Sequence, residues 1–358
     1  MSVIYCAGNI GKKAKEKMLT FYNQTPKGFM DTYKSGMFEG LPIFRKEEVD
    51  RSEEIIIAND DPYVVVSLYE RLSGSGYRNL YWFLNMDDYN TVMTDFLSDE
   101  CLFLGNWGKC ILPDLEVHIA DNCNLNCKGC THFSPLFDSV GVNFESRIND
   151  IEGVRGKVDG IARLDILGGE PLLNHELDKY ASTIRHMLPD TRISIFSNGI
   201  LIPKLSDESL KVISDNNIGF MISLYMPTEK IMGKIKQRLN DFNIRYKLTV
   251  ARGKFNLPIT IKKDTSLPHK CISNGCVSIS DGKIARCPTL LYVHKFNEAF
   301  NERLPENGIY SIKDCPSGDD LRKLMKKEVP LCKFCVLNEI DWDVCGKDYN
   351  LDDFASNQ

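Results

Sequence analysis

Apolar residues along this chain follow two alternating rhythms. Short runs rich in β-branched residues, "SVIYCAG" (2–8), "EEIIIAND" (53–60), "LEVHIA" (115–120), "TRISIFSNG" (191–199) and "IGFMISLY" (218–225), read as buried strands of a parallel sheet. Between them lie stretches with apolar residues every three or four positions. "NIGKKAKEKMLTFY" (9–22), "FESRINDIEGVRGKV" (144–158) and "EKIMGKIKQRLNDF" (229–242) are examples that read as helices. Residues 1–83 predict a small parallel α/β layer. Residues 84–113 predict a connector, with one helix in "DDYNTVMTDFLSDE" and a stretch broken by Gly and Pro after it. From 114 the rhythm restarts, and five strands alternate with four helices to about residue 250. That pattern predicts a sheet wrapped by helices, short of a complete eight-stranded barrel and so a partial one, with its chemistry at the carboxyl ends of the strands. Three motifs fall at that edge: "CNLNCKGC" (123–130), "GGEP" (168–171) and "SNG" (197–199).

Composition narrows the setting. The 358 residues are 43% hydrophobic and 26% charged, enough to bury full cores. A net charge of −5 with no basic block speaks against nucleic acid and anionic membrane surfaces as partners. "MSVIYCAGNIGKKAKEKM" lacks the basic start and apolar centre of a signal peptide, and no apolar run approaches the roughly 18 residues that span a bilayer. A cytoplasmic location is expected.

Disulfides are disfavoured in that compartment, so 13 cysteines read as metal ligands or catalytic groups. Cys6, Cys101 and Cys110 stand apart and are expected to be buried small hydrophobes. Cys123, Cys127 and Cys130 are spaced C-x3-C-x2-C, which keeps three soft thiolates on one loop. They suit three corners of a [4Fe–4S] cube, with a zinc knuckle as the alternative. In the last quarter of the chain, "CISNGCVSISDGKIARC" (271–287) suggests two strands around a Gly turn that bring Cys271 or Cys276 near Cys287. Cys332 and Cys335 in "CKFC" would close a four-cysteine site, with a zinc ribbon as the alternative. Near the start, "CAGNIG" is similar to the G-x-G-x-x-G fingerprint with Cys6 for the first Gly. Gly8 and Gly11 remain, and Asp31 follows 20 residues after Gly11. This is either a nucleotide site or a structural turn.

The triplet after the first strand of the second α/β unit, with "GGEP" after its next strand, resembles the radical S-adenosylmethionine (SAM) superfamily. The resemblance implies a partial (β/α)6 barrel over residues 114–262. In it Cys123, Cys127 and Cys130 ligate a [4Fe–4S] cluster, and the open iron is chelated by the amino and carboxylate groups of SAM. Gly168 and Gly169 would let backbone approach the methionine part, Glu170 would accept from its ammonium group, and Ser197 and Asn198 would contact the ribose. The family's reaction passes through a 5′-deoxyadenosyl radical that abstracts a hydrogen. Gly129 departs from the aromatic residue the family carries before the third cysteine, so adenine support is expected from backbone or Phe133. His132 either touches substrate or cluster or is structural.

Residues 263–358 resemble the twitch and SPASM extensions, which hold auxiliary [4Fe–4S] clusters. Cys332, Cys335 and Cys345 match the end of the larger pattern, but Asp341 stands at its third cysteine. A single auxiliary cluster is therefore expected, on Cys276 or Cys271, then Cys287, Cys332 and Cys335, with Cys345 as an alternative and Cys315 not a ligand. Residues 1–83 resemble the small Rossmann-like domains beside sugar-modifying enzymes of surface polysaccharide pathways. Together these imply oxidation or epimerisation of a sugar or nucleotide-sugar, in surface polysaccharide or natural-product biosynthesis, with flavodoxin or ferredoxin as electron donor. A peptide-modifying maturase and a non-catalytic protein with structural zinc are the competing readings.

Overall fold

The computed structural model describes residues 2–86, 95–139, 141–249, 253–262, 271, 276–346 and 349–356. The N-terminal sheet contains β1 (Ser2–Tyr5), β2 (Gly28–Met30), β3 (Gly36–Phe38), β4 (Leu41–Phe44), β5 (Glu54–Ile57), β6 (Leu80–Phe83) and β7 (Cys101–Phe103). Their order is β3-β4-β2-β1-β5-β6-β7, parallel except for the two edge strands β3 and β7. Alternate side chains of the central strands enter two cores. Val3, Tyr5, Ile55 and Ile57 pack with α2 (Pro62–Gly74), while Ile4 and Ile56 pack with α1 (Asn9–Tyr22). Burial on both faces is why these strands read as continuous apolar runs. α2 opens on Asp61, which accepts from the Tyr63 N–H at 2.8 Å, with Pro62 at the first helical position.

Of the expected connector, residues 87–94 lie outside the described residues, with them the first part of the expected helix, and 96–103 are part of this layer. α3 (Phe96–Glu100) stacks Phe96 on Phe83, and β7 pairs with β6. A three-residue edge strand offers too few alternations to register as a strand in sequence.

The second sheet carries β8 (Ile111–Ala120), β9 (Gly160–Gly168), β10 (Arg192–Ser197), β11 (Gly219–Ser223) and β12 (Tyr246–Thr249), all parallel neighbours. The chain returns between them through α4 (Phe144–Arg155), α5 (Leu177–Met187), α6 (Asp207–Asp215), α7 (Met226–Glu229) and α8 (Met232–Asp241). Ile151, Tyr180, Ile184, Leu210, Ile213 and Leu239 from these helices share one core with Leu115, Val117, Ile166, Ile195 and Ile222 of the strands. Beyond β12 the chain leaves for β13 (Lys254–Thr260) and returns as β14 (Ser278–Ser280), which adds parallel to the other side of β8. β15 (Lys283–Ala285) and β16 (Tyr310–Ser311) extend that edge antiparallel. The sheet order is β12-β11-β10-β9-β8-β14-β15-β16, an open, partial barrel. Asp281 and Gly282, both with positive φ (50° and 73°), make the tight turn between β14 and β15.

Residues beyond 262 were expected as a separate unit. Instead they are woven into the rest: β14 to β16 complete the barrel sheet, and α9 (Pro288–Phe300) packs on β14 and β15. β17 (Cys335–Asp341) and β18 (Ala355–Ser356) flank β13 in a third sheet. Among the described residues, no helix is long and apolar enough to cross a membrane.

Candidate active site

β8 delivers the cysteine loop. Leu115, Val117 and Ile119 face the helix-covered core, so Glu116 and His118 face the other way. Past the strand, Cys123, Cys127 and Cys130 line one cavity of about 230 Å³, which Gly168, Gly169, Glu170, Ser197 and Asn198 also line. The three sequence motifs therefore meet at one place. Within the loop, the Leu125 N–H points at Cys123 Sγ (3.4 Å). Trp342 donates its Nε1–H to Cys127 Sγ at 3.3 Å. Burial pushes the Cys123 and Cys127 thiols up to about 12, so thiolates here call for a cation that repays their desolvation.

The "GGEP" turn locks onto this loop. The Gly169 N–H donates to the Ala120 carbonyl at 2.7 Å, and the Glu170 N–H to that of Asn122 at 3.0 Å. A Cβ on Gly169 would lie 2.0 Å from the Asn122 oxygen, and one on Gly168 2.0 Å from that of Ala120. These glycines let two loops touch, whatever further room they give a ligand. Glu170 is fully buried, which pushes its carboxyl up to about 7. It accepts from Ser197 Oγ (2.7 Å), the Asn198 N–H (2.9 Å) and the Leu172 N–H (3.1 Å). A carboxylate has about four lone-pair sites, so one remains for a cation in the cavity. Asn198 Nδ2 in turn donates to Asn124 Oδ1 at 2.7 Å, tying "SNG" back to the cysteine loop.

Gly129 is explained by crowding. It sits at φ +67°, and a Cβ there would be 2.6 Å from the Asn256 carbonyl oxygen and 3.2 Å from Phe255. An aromatic side chain has no room. Phe133, the expected substitute, is instead buried against Phe296 and Phe354. The aromatic wall of the cavity comes from Tyr225 and Phe255, edge to face at 6.3 Å, with Trp342 stacked on Tyr225 at 5.3 Å. Tyr225 follows β11, and the strand-end rule could have found it. Phe255 and Trp342 come from remote segments and carry no local signal.

In the second cysteine set, Cys271 and Cys276 lie in different surroundings. Arg286 reaches both Cys332 Sγ (3.6 Å) and Cys271 Sγ (3.9 Å). Burial first, and then Cys287, Cys332 and Cys271 beside it, push the Cys335 thiol up to about 12. The four neighbours are therefore Cys271, Cys287, Cys332 and Cys335. Cys276 turns away to hydrogen-bond Glu116, because β14 pairs with β8 there. Cys345 belongs to the first loop: its N–H donates to the Asn126 carbonyl at 2.7 Å, and Val344 bridges Cys127. Cys315 packs in the barrel core.

In the N-terminal layer, Gly8 and Gly11 open α1, and Asp31 follows β2. The Asp31 carboxylate accepts from the Ala7 N–H (2.8 Å), the Tyr33 N–H (2.9 Å) and the Lys34 N–H (3.1 Å). It fastens the Cys6–Ala7 turn to its own turn, a structural use of the group.

Residues 117–251 match the model of the Radical SAM superfamily. Curated relatives include GTP 3′,8-cyclase of a Sulfurovum species, 30% identical over 102 residues, which are 27% of this chain and 31% of that protein. A probable GTP 3′,8-cyclase of Aeropyrum pernix is 29% identical over 133 residues, 36% of each chain. The chain thus spans about a third of the length of the curated relatives it matches. Among solved structures, BtrN in complex with AdoMet and 2-DOIA is 18% identical, with a TM-score of 0.36 over 62% of this chain and 92% of that one. The anSMEcpe protein with bound AdoMet is 19% identical, with a TM-score of 0.32 over 38% of this chain and 43% of that one. The chain carries a radical SAM domain. Proteins of this superfamily use a [4Fe–4S] cluster and SAM.

Proposed function

We propose that the chain is a radical SAM enzyme that takes hydrogen from a polar small molecule of the sugar or nucleotide-sugar kind. The observation that carries the reading is the meeting of three strand-end loops, those of β8, β9 and β10, around one cavity. Cys123, Cys127 and Cys130 would hold the cluster, leaving one iron free for SAM. When bound, cluster and SAM supply a one-electron cleavage that leads to hydrogen abstraction. The chain's own residues position and shelter that chemistry. Glu170 fixes the second loop against the third and offers its remaining lone pair to the ammonium group of SAM. Tyr225 and Phe255 provide flat apolar surface for the adenine, and Trp342 stacks on Tyr225. Glu116, Thr131, His132 and Ser134 give the cavity a polar wall, which suits a ligand rich in hydroxyl groups. A flavodoxin- or ferredoxin-type protein would deliver the electron. An auxiliary cluster on Cys271, Cys287, Cys332 and Cys335 would support an oxidative outcome.

The test is anaerobic reconstitution with iron and sulfide, then reduction in the presence of SAM. 5′-Deoxyadenosine and methionine should form, and Cys127→Ala should abolish both. Tightly held zinc without iron, or cleavage retained in Cys127→Ala, would overturn the reading.

A further inference from the structure

Glu116 and His118 sit two residues apart on β8 and so project from the same face of the strand. His132, from the turn after Cys130, lies over His118 with ring centroids 4.8 Å apart. One donor atom from each of the three residues falls within 4.8 Å of the other two, the one such grouping of His, Cys, Asp and Glu among the described residues. His118 Nε2 and His132 Nε2 are both buried and without a hydrogen-bond partner, and His118 is only 1% exposed. Buried imidazole nitrogens are ordinarily paired, so two unpaired ones in rings grouped with a buried carboxyl point to a missing partner.

We propose that Glu116, His118 and His132 bind a divalent transition-metal cation. Two imidazoles and one carboxylate are the donor set that suits iron(II), manganese(II) or zinc(II), and three protein ligands leave coordination positions open. The supports around the ligands agree with that use. Thr131 Oγ1 and His132 Nδ1 are 3.2 Å apart, a contact that restrains the ring and leaves Nε2 as its unpaired nitrogen. Tyr292 stacks on His118 at 4.9 Å and 26°. Ser278 Oγ donates to Glu116 Oε2 at 2.6 Å, which orients the carboxylate. Divalent charge would also compensate the burial of that carboxylate beside two neutral rings. The ion has an entry path, because Glu116 and His132 line the cavity shared with the cysteine triplet. The open positions would face whatever polar group of a ligand enters there.

The inference does not depend on the radical chemistry and is tested by binding alone. Manganese(II) is the probe, because it prefers nitrogen and oxygen donors to thiolates and so ignores the cysteine sets. Anaerobically purified holoprotein is stripped with chelator, then titrated with manganese(II) while the signal of the free ion is followed by electron paramagnetic resonance. One site per chain is expected, weakened at least about tenfold in His132→Gln, His118→Gln and Glu116→Gln. Iron–sulfur absorbance and circular dichroism at wild-type levels check folding. His132, on a loop, remains informative if the β8 variants fail that check. No stoichiometric site in the wild type, or equal binding in folded His132→Gln, would sink the proposal.

Discussion

Trp342 reaches Cys127 from 215 residues away, through an N–H···S contact of 3.3 Å. Hydrogen bonds to cluster sulfurs stabilise the more negative, reduced state and raise its potential. Trp342→Phe should therefore make the cluster at the triplet harder to reduce, read as a lower midpoint in a potentiometric titration. An unchanged midpoint with the cluster intact would assign the indole a packing role only. Gly129 is the second residue whose meaning came from the structure. Gly129→Ala should cost roughly 1–3 kcal/mol through its left-handed backbone, and more through the clash with Asn256. In sequence this glycine looked like a gap in a family pattern, because the strand that crowds it begins 125 residues later, at Lys254. The thiolates of the first loop were legible because spacing and strand position both pointed to them. Cys271 and Cys276 were not separable by spacing, since their roles depend on which one β14 turns toward Glu116. Cys271→Ala should lower iron content and Cys276→Ala should leave it unchanged, by iron and sulfide analysis of anaerobic protein. The reverse result would restore Cys276 as ligand.

At the scale of elements, the parallel strands with helices between them were readable because burial on both faces writes them as continuous apolar runs. β14, β15 and β16 were not readable as part of the barrel, being three, three and two residues long. The C-terminal strap is the element with most bearing on the site. The Lys128 N–H donates to the Asp343 carbonyl at 3.0 Å, the Cys345 N–H to that of Asn126 at 2.7 Å, and the Gly129 N–H to that of Asp353 at 2.7 Å. These are main-chain bonds, so the strap grips the loop whatever its side chains. A chain cut after Asp341 should still bind iron at the triplet but lose it to oxygen or chelator much faster than the full chain. Equal bleaching rates would show that the strap does not shelter the cluster.

For the whole molecule, the charges buried under the barrel shape its response to pH. Burial is the chief cause that pushes Glu116 and Glu170 each up to about 7 from the usual 4.5. Between those values the native state holds protons that the unfolded chain has released. Stability from these groups is therefore greatest below about pH 4.5 and is lost as pH rises through 7. The melting temperature of the cluster-free chain should fall between pH 5 and 8, and Glu170→Gln should flatten that slope. A slope that the substitution leaves untouched would put the cause elsewhere.

The strap and the loop it covers also differ in when they are made. A ribosome releases residues 123–130 more than 200 residues before it releases 343–353, so the cysteine loop emerges and waits uncovered. Until the strap arrives, the triplet is open to iron delivery and to oxidation alike. Afterwards its main-chain bonds shut the outer side. Loading before and after the strap forms would then proceed at different rates, and residues 343–353 act as the latch between them.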